Sequence, residues 1–136
     1  MPNYRKRFNA PKDFRMAADI IREDDFKDDR VFGIYPIDIL RYTKKNVIWP
    51  WPNLHDIPVD IMQADNPYSF SNLLEKYNIR YILIDNRFVS TEDYFNGRNY
   101  TSSFYYNCRK LYEKKELVLK LQTNSFILLK VIWIYY

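Results

Sequence analysis

The chain reads as a small α/β sandwich with a mostly parallel central sheet, flanking helices and a C-terminal antiparallel β-hairpin. Three observations predict this. Residues 70–77 carry a helical apolar row (Phe70, Leu73, Leu74, Tyr77) that runs through Asn78 straight into the unbroken apolar run RYILID at 80–85. A continuous apolar run after a helix is what a central strand of a parallel sheet looks like. Near the end, ELVLKLQ (116–122) and FILLKVIWI (126–134) flank a Thr-Asn-Ser turn, which is a hairpin signature.

The remaining elements follow in order. Residues 1–8 form a basic tail, and residues 9–136 form one domain, as 136 residues suggest. Phe14, Ala17, Ala18 and Ile21 mark one helical face between Pro11 and Asp25, with Asn9 as a candidate cap. The acidic residues Asp24, Asp25, Asp28 and Asp29 then read as a polar loop before a short buried strand, RVFGIYP, at 30–36. A short helix or turn from Asp38 leads through Lys44-Lys45-Asn46 to a strand at 46–49. Pro50, Pro52, Pro58 and Pro67 make 50–67 an irregular loop holding Trp51 and His55, with Trp49 at its entrance. Ser69 is the expected N-cap of the next helix, and Asn78 its left-handed stop. After the polar stretch 86–103, a third helix presents Phe104, Cys108 and Leu111 on one face. In the hairpin, Leu117, Leu119 and Leu121 are expected to share a face.

Composition excludes several chemistries. Two glycines, Gly33 and Gly97, cannot build a Gly-rich phosphate loop. One cysteine and one histidine leave no intrachain disulfide, no Cys-based metal cluster and no two-histidine metal site. No apolar segment reaches the roughly 20 residues of a membrane span, and no signal peptide follows Arg5-Lys6-Arg7. The net charge of +4 is accounted for by residues 101–136, where six cations face two acids. That basic face is either a solvated surface or a contact for anions.

Two candidate sites emerge. Asp85 ends the central strand, and open α/β sheets bind ligands at such carboxyl ends, with Asp38 and Glu92 or Asp93 as partners. Alternatively Asp85-Asn86 only closes the strand and opens a turn. The second candidate is Trp49, Trp51 and His55 with the basic Lys110 and Lys114, because aromatic rings stack on sugars and cations meet phosphates. The aromatic loop equally suits packing of its tryptophans on the body of the domain. Asn99-Tyr100-Thr101 is a glycosylation sequon that permits an exported location.

The order of pieces resembles a known family. FRMAADIIRED, RVFGIYP, LRYTKKNVIWPWP, LLEKYNIRYILID and LYEKKELVLKLQTNSFILLKV follow one another as in the soluble C-terminal domain of polytopic GT-C type glycosyltransferases. The similarity is to the dolichyl-phosphate-mannose mannosyltransferase and ArnT-like members, over about residues 12–132. It implies an extracytoplasmic domain attached to a membrane enzyme whose catalytic acids lie elsewhere. No catalytic residue, metal or cofactor is therefore carried onto this chain. The implied partners are the membrane part of the parent protein, a polyprenyl-phosphate-linked sugar and an anionic membrane surface.

Overall fold

The computed structural model describes residues 13–26, 28–33, 36–48, 60–85 and 99–132. In chain order the elements are α1 (Phe14–Glu23), β1 (Arg30–Gly33), α2 (Pro36–Thr43), β2 (Asn46–Ile48), α3 (Pro67–Lys76), β3 (Ile79–Asp85), α4 (Asn99–Glu113), β4 (Leu117–Gln122) and β5 (Phe126–Val131). One five-stranded sheet runs in the order β2-β1-β3-β5-β4. β1 is parallel to β2 and to β3, whereas β5 is antiparallel to β3 and β4. The sheet is thus half parallel and half antiparallel, with β3 at its centre as the apolar run RYILID predicts.

β3 shows why it is central. Tyr81 and Leu83 join Phe14, Ala17, Ala18, Ile21, Val31 and Ile39 in one core beneath α1 and α2. Ile82 and Ile84 join Phe32, Phe70, Leu74, Phe104, Cys108 and Leu111 in a second core beneath α3 and α4. Alternate residues of one strand therefore seed both layers. The β1-α2-β2 and β2-α3-β3 connections run in opposite directions across the sheet, and their helices lie on opposite faces. Crossovers of one hand require that arrangement.

Glycine scarcity leaves a trace at the helix ends. Lys44, Asn78 and Lys115 are left-handed, with φ of 61°, 58° and 65°. They close α2, α3 and α4. After α4, Glu116 N–H donates to Leu111 O at 2.9 Å and Lys115 N–H to Tyr112 O at 3.1 Å. This reciprocal pair is the Schellman closure, for which glycine is the usual residue. A lysine there costs about 1 kcal/mol of backbone strain. Lys115→Gly is expected to raise the thermal unfolding midpoint by roughly 2–5 °C, read by circular dichroism. Asn78 is the one stop the sequence anticipates.

Several expectations are corrected. The cap of α3 is Asn66 rather than Ser69: Asn66 Oδ1 accepts from Ser69 N–H at 2.8 Å, and Pro67 takes the first helical position. The third helix begins at Asn99, inside the stretch read as polar loop. β1 ends at Gly33, and Pro36 already belongs to α2. In β4 the register slips between Leu119 and Leu121, making Lys120 an extra residue. Leu117 is buried against the α3–α4 side, Leu119 is exposed, and Leu121 packs on the α1–α2 side. A bulge reverses the alternation that the three leucines suggest.

Candidate functional site

The carboxyl ends of β1 and β3 are adjacent in the sheet, and the next described helix after each, α2 after β1 and α4 after β3, packs on the opposite face from the other. This is the topological switch point of the parallel half, the position where open α/β sheets take ligands. Each of α2, α3 and α4 leads down to the amino end of the strand that follows it, so their N-termini lie toward this same edge. α1 joins them, because Asp13 just before it accepts a hydrogen bond from Ser125 N–H in the β4–β5 turn. Gly33, the last residue of β1, sits where a Cβ would come within 3.0 Å of Leu83 Cβ. Glycine permits the close approach of β1 and β3 there.

The sequence-predicted residues distribute unevenly around this frame. Asp38, in the first turn of α2, and Asp85, the last residue of β3, both lie at the switch-point edge. The Asp85 side chain is outside the described atoms, as are Glu92 and Asp93. Trp49, Trp51 and His55 also lie outside the described residues, but β2 ends at Ile48, on the same edge. Lys110 and Lys114 lie at the other end of the molecule. α4 descends about 22 Å over its 15 residues, and β4 starts level with Arg80 and Ile79 at the amino ends of the parallel strands. Ile48 and the two lysines therefore sit at opposite edges of the sheet.

Lys110 is also engaged locally. Its Nζ lies 3.6 Å from Glu113 Oε2 and 5.5 Å from the Tyr106 ring centre. Lys114 is exposed beside Glu113 and Glu116 in the chain. The last turns of α1, α2, α3 and α4 each carry a cation (Arg22, Arg41, Lys76, Lys110), where it meets the negative end of the helix dipole.

The most connected polar group lies at this amino-terminal edge. The Tyr81 hydroxyl donates to Asp24 Oδ2 at 2.6 Å, and Lys130 Nζ lies 2.9 Å from the same oxygen. Beside them Arg80 holds Asp29 Oδ2 through Nε at 2.8 Å and Nη2 at 2.5 Å. Lys45 Nζ donates to Phe26 O and stands 4.3 Å from the Phe26 ring centre. Burial works against the charge of Asp24, but the Tyr81 and Lys130 hydrogen bonds and the Lys130 and Arg80 charges outweigh it and lower its pKa below 3.8. Burial and the Asp24 carboxylate together push the Tyr81 phenol up. All these groups are paired, and they fasten the α1–β1 loop to the sheet. One signal in the sequence could have found the group: Lys130 interrupts an otherwise apolar strand, which calls for a partly buried counter-charge.

Chemistry is sparse elsewhere. Cys108 is buried in the α3–α4 core, and burial alone pushes its thiol up, the opposite of a reactive cysteine. Asn107 is buried and donates to Ala64 O at 3.0 Å, tying α4 to the turn before α3. Among the described residues no three His, Cys, Asp or Glu side chains are placed to share a metal ion, and no helix is long and apolar enough to cross a membrane.

The class defined so far is an α/β fold with a mixed five-stranded sheet and a switch point between β1 and β3. Among solved structures, the chain is similar to the C-terminal globular domain of oligosaccharyltransferase from Archaeoglobus fulgidus. One structure of it aligns with a TM-score of 0.64 at 16% identity, covering 91% of this chain and 99% of that one. A second aligns with a TM-score of 0.61 at 11% identity, covering 91% and 98%. At these identities the likeness is one of fold. No protein-family model and no curated protein sequence matches the chain.

Proposed function

We propose that this chain is a non-catalytic accessory domain of a membrane-bound glycosyltransferase, which helps position a lipid-phosphate-linked sugar donor or the acceptor at the membrane surface. The observation that carries the reading is the extent of the fold likeness: the alignment takes in 99% of a domain that is itself the C-terminal globular part of an oligosaccharyltransferase. The narrower resemblance, to the dolichyl-phosphate-mannose mannosyltransferase and ArnT-like members, rests on the order of sequence segments. On this reading the domain works at the extracytoplasmic face, joined to the membrane part of its parent. Trp49, Trp51 and His55 are the residues proposed to meet the sugar. Lys110 and Lys114, at the far edge, would meet an anion independently of them.

The test is a titration of the 136-residue chain with a polyprenyl-phosphate-linked sugar in micelles, followed by amide chemical shifts. Saturable shifts that weaken about tenfold in Trp49→Ala or Trp51→Ala are the expected result. No shift with donor or acceptor overturns the positioning role, and an encoding locus without upstream hydrophobic segments overturns the parent enzyme.

A second reading is favoured by one observation. Asp38 and Asp85 lie at the same switch-point edge, as a stand-alone α/β enzyme or nucleotide- or metal-binding domain would need. Nucleotide or Mg²⁺ binding that is abolished in Asp85→Ala would establish it. Unchanged binding in that variant removes it.

A further inference from the structure

α2 faces solvent with the wrong residues for an ordinary surface helix. Its core side is Ile39 and Thr43, both buried, with the Thr43 hydroxyl donating to Ile39 O at 2.6 Å. The opposite row is Ile37, Leu40 and Arg41, at i, i+3 and i+4, with Lys44 just past the last turn, and all four are exposed. Ile37 is 70% exposed and Leu40 52%. Along the flank Tyr42 is exposed, with the Arg15 guanidinium from α1 5.5 Å above its ring centre. Asp38 is the one acid in this helix.

Aliphatic side chains held out of the fold, a tyrosine beside them and cations around them are the composition of an interfacial helix. The aliphatics enter the acyl boundary, the phenol sits at headgroup depth, and Arg15, Arg41 and Lys44 meet lipid phosphates. The basic face of α4 lacks this arrangement, because among the described residues its exposed large apolar residues are Tyr106 and Tyr112 with no aliphatic side chain, and Glu113 lies beside Lys110. We propose that the α2 row Ile37–Leu40–Arg41, flanked by Arg15, Tyr42 and Lys44, is a contact surface for an anionic lipid bilayer. The charge of the row selects this occupant over a second copy of the chain, whose own Arg41 and Lys44 would face like charges. The inference rests on the reading that the domain works at a membrane, but it needs no sugar ligand.

The experiment is co-sedimentation of the 136-residue chain with sugar-free vesicles, either pure phosphatidylcholine or rich in phosphatidylglycerol. Binding to the anionic vesicles alone is expected. Arg41→Glu/Lys44→Glu should weaken it at least tenfold, since each cation near an anionic surface contributes about fivefold. Ile37→Asp/Leu40→Asp should weaken it at least as much, with little change in the thermal midpoint because both side chains are more exposed than covered. No sedimentation of the wild type, or equal sedimentation of the charge-reversed variant, overturns the proposal. So does concentration-dependent dimerisation abolished by Ile37→Asp/Leu40→Asp. A positive donor titration with no vesicle binding would sink this surface and leave the proposed function standing.

Discussion

Phe104→Ala should lower the stability of the domain by about 3–5 kcal/mol, against a total of about 5–15 kcal/mol for a domain of ordinary stability. Phe104 is buried where α4 meets both the sheet and α3. Its ring centre lies 5.6 Å from that of Phe32 on β1 and 5.6 Å from that of Phe70 on α3, the latter edge-on. Truncation removes the transfer energy of the ring and leaves a cavity among three elements that cannot all collapse into it. Denaturant unfolding should show the midpoint falling with the slope unchanged. Tyr106→Ala, on the exposed face of the same helix, should stay within about 0.5 kcal/mol of wild type. Equal losses at the two positions would mean that α4 is held by something other than the Phe32–Phe104–Phe70 stack.

The second large effect belongs to Asp24. Removing its carboxylate in Asp24→Ala leaves the Tyr81 hydroxyl and the Lys130 ammonium without their shared acceptor, at a cost of about 2–4 kcal/mol. The pH dependence follows from the two shifts. Asp24 is lowered on folding, so its contribution is present above its unfolded value of 3.8 and fades as pH falls through the folded value. Tyr81 is raised, so its contribution is intact below its unfolded value of 10.0 and fades as pH climbs beyond it. Wild-type stability should therefore decline below about pH 4 and again above about pH 10. Asp24→Asn should flatten the acid decline, and Tyr81→Phe the alkaline one. An acid limb of undiminished depth in Asp24→Asn would locate the responsible carboxylate elsewhere.

Local pattern carried a good part of this fold, and nonlocal pairing carried the rest. The row Phe70–Leu74 and the run 80–85 announce a helix feeding a central strand, and Asn78 between them announces the turn, because each signal is written within a few residues. The bulge at Lys120 is invisible in ELVLKLQ, since the slip exists only relative to β5. Asn66 loses to Ser69 on inspection because both residue types cap helices, and only the place of Pro67 decides. The same limit governs the site. Trp49 and Lys110 are both attractive as residues, but a sequence does not say toward which end of a sheet a helix points. The α2 row went unread for a related reason: Ile37 and Leu40 look like core until Ile39 and Thr43 are seen to occupy the inner side.

The lone cysteine turns the protein into its own clock. Cys108 is shut inside the α3–α4 core and its thiol is held protonated by burial, so a thiol reagent can reach it only while that layer is parted. The pace of labelling, followed as denaturant is added, would separate brief excursions of α4 from loss of the whole fold, with no probe grafted onto the chain.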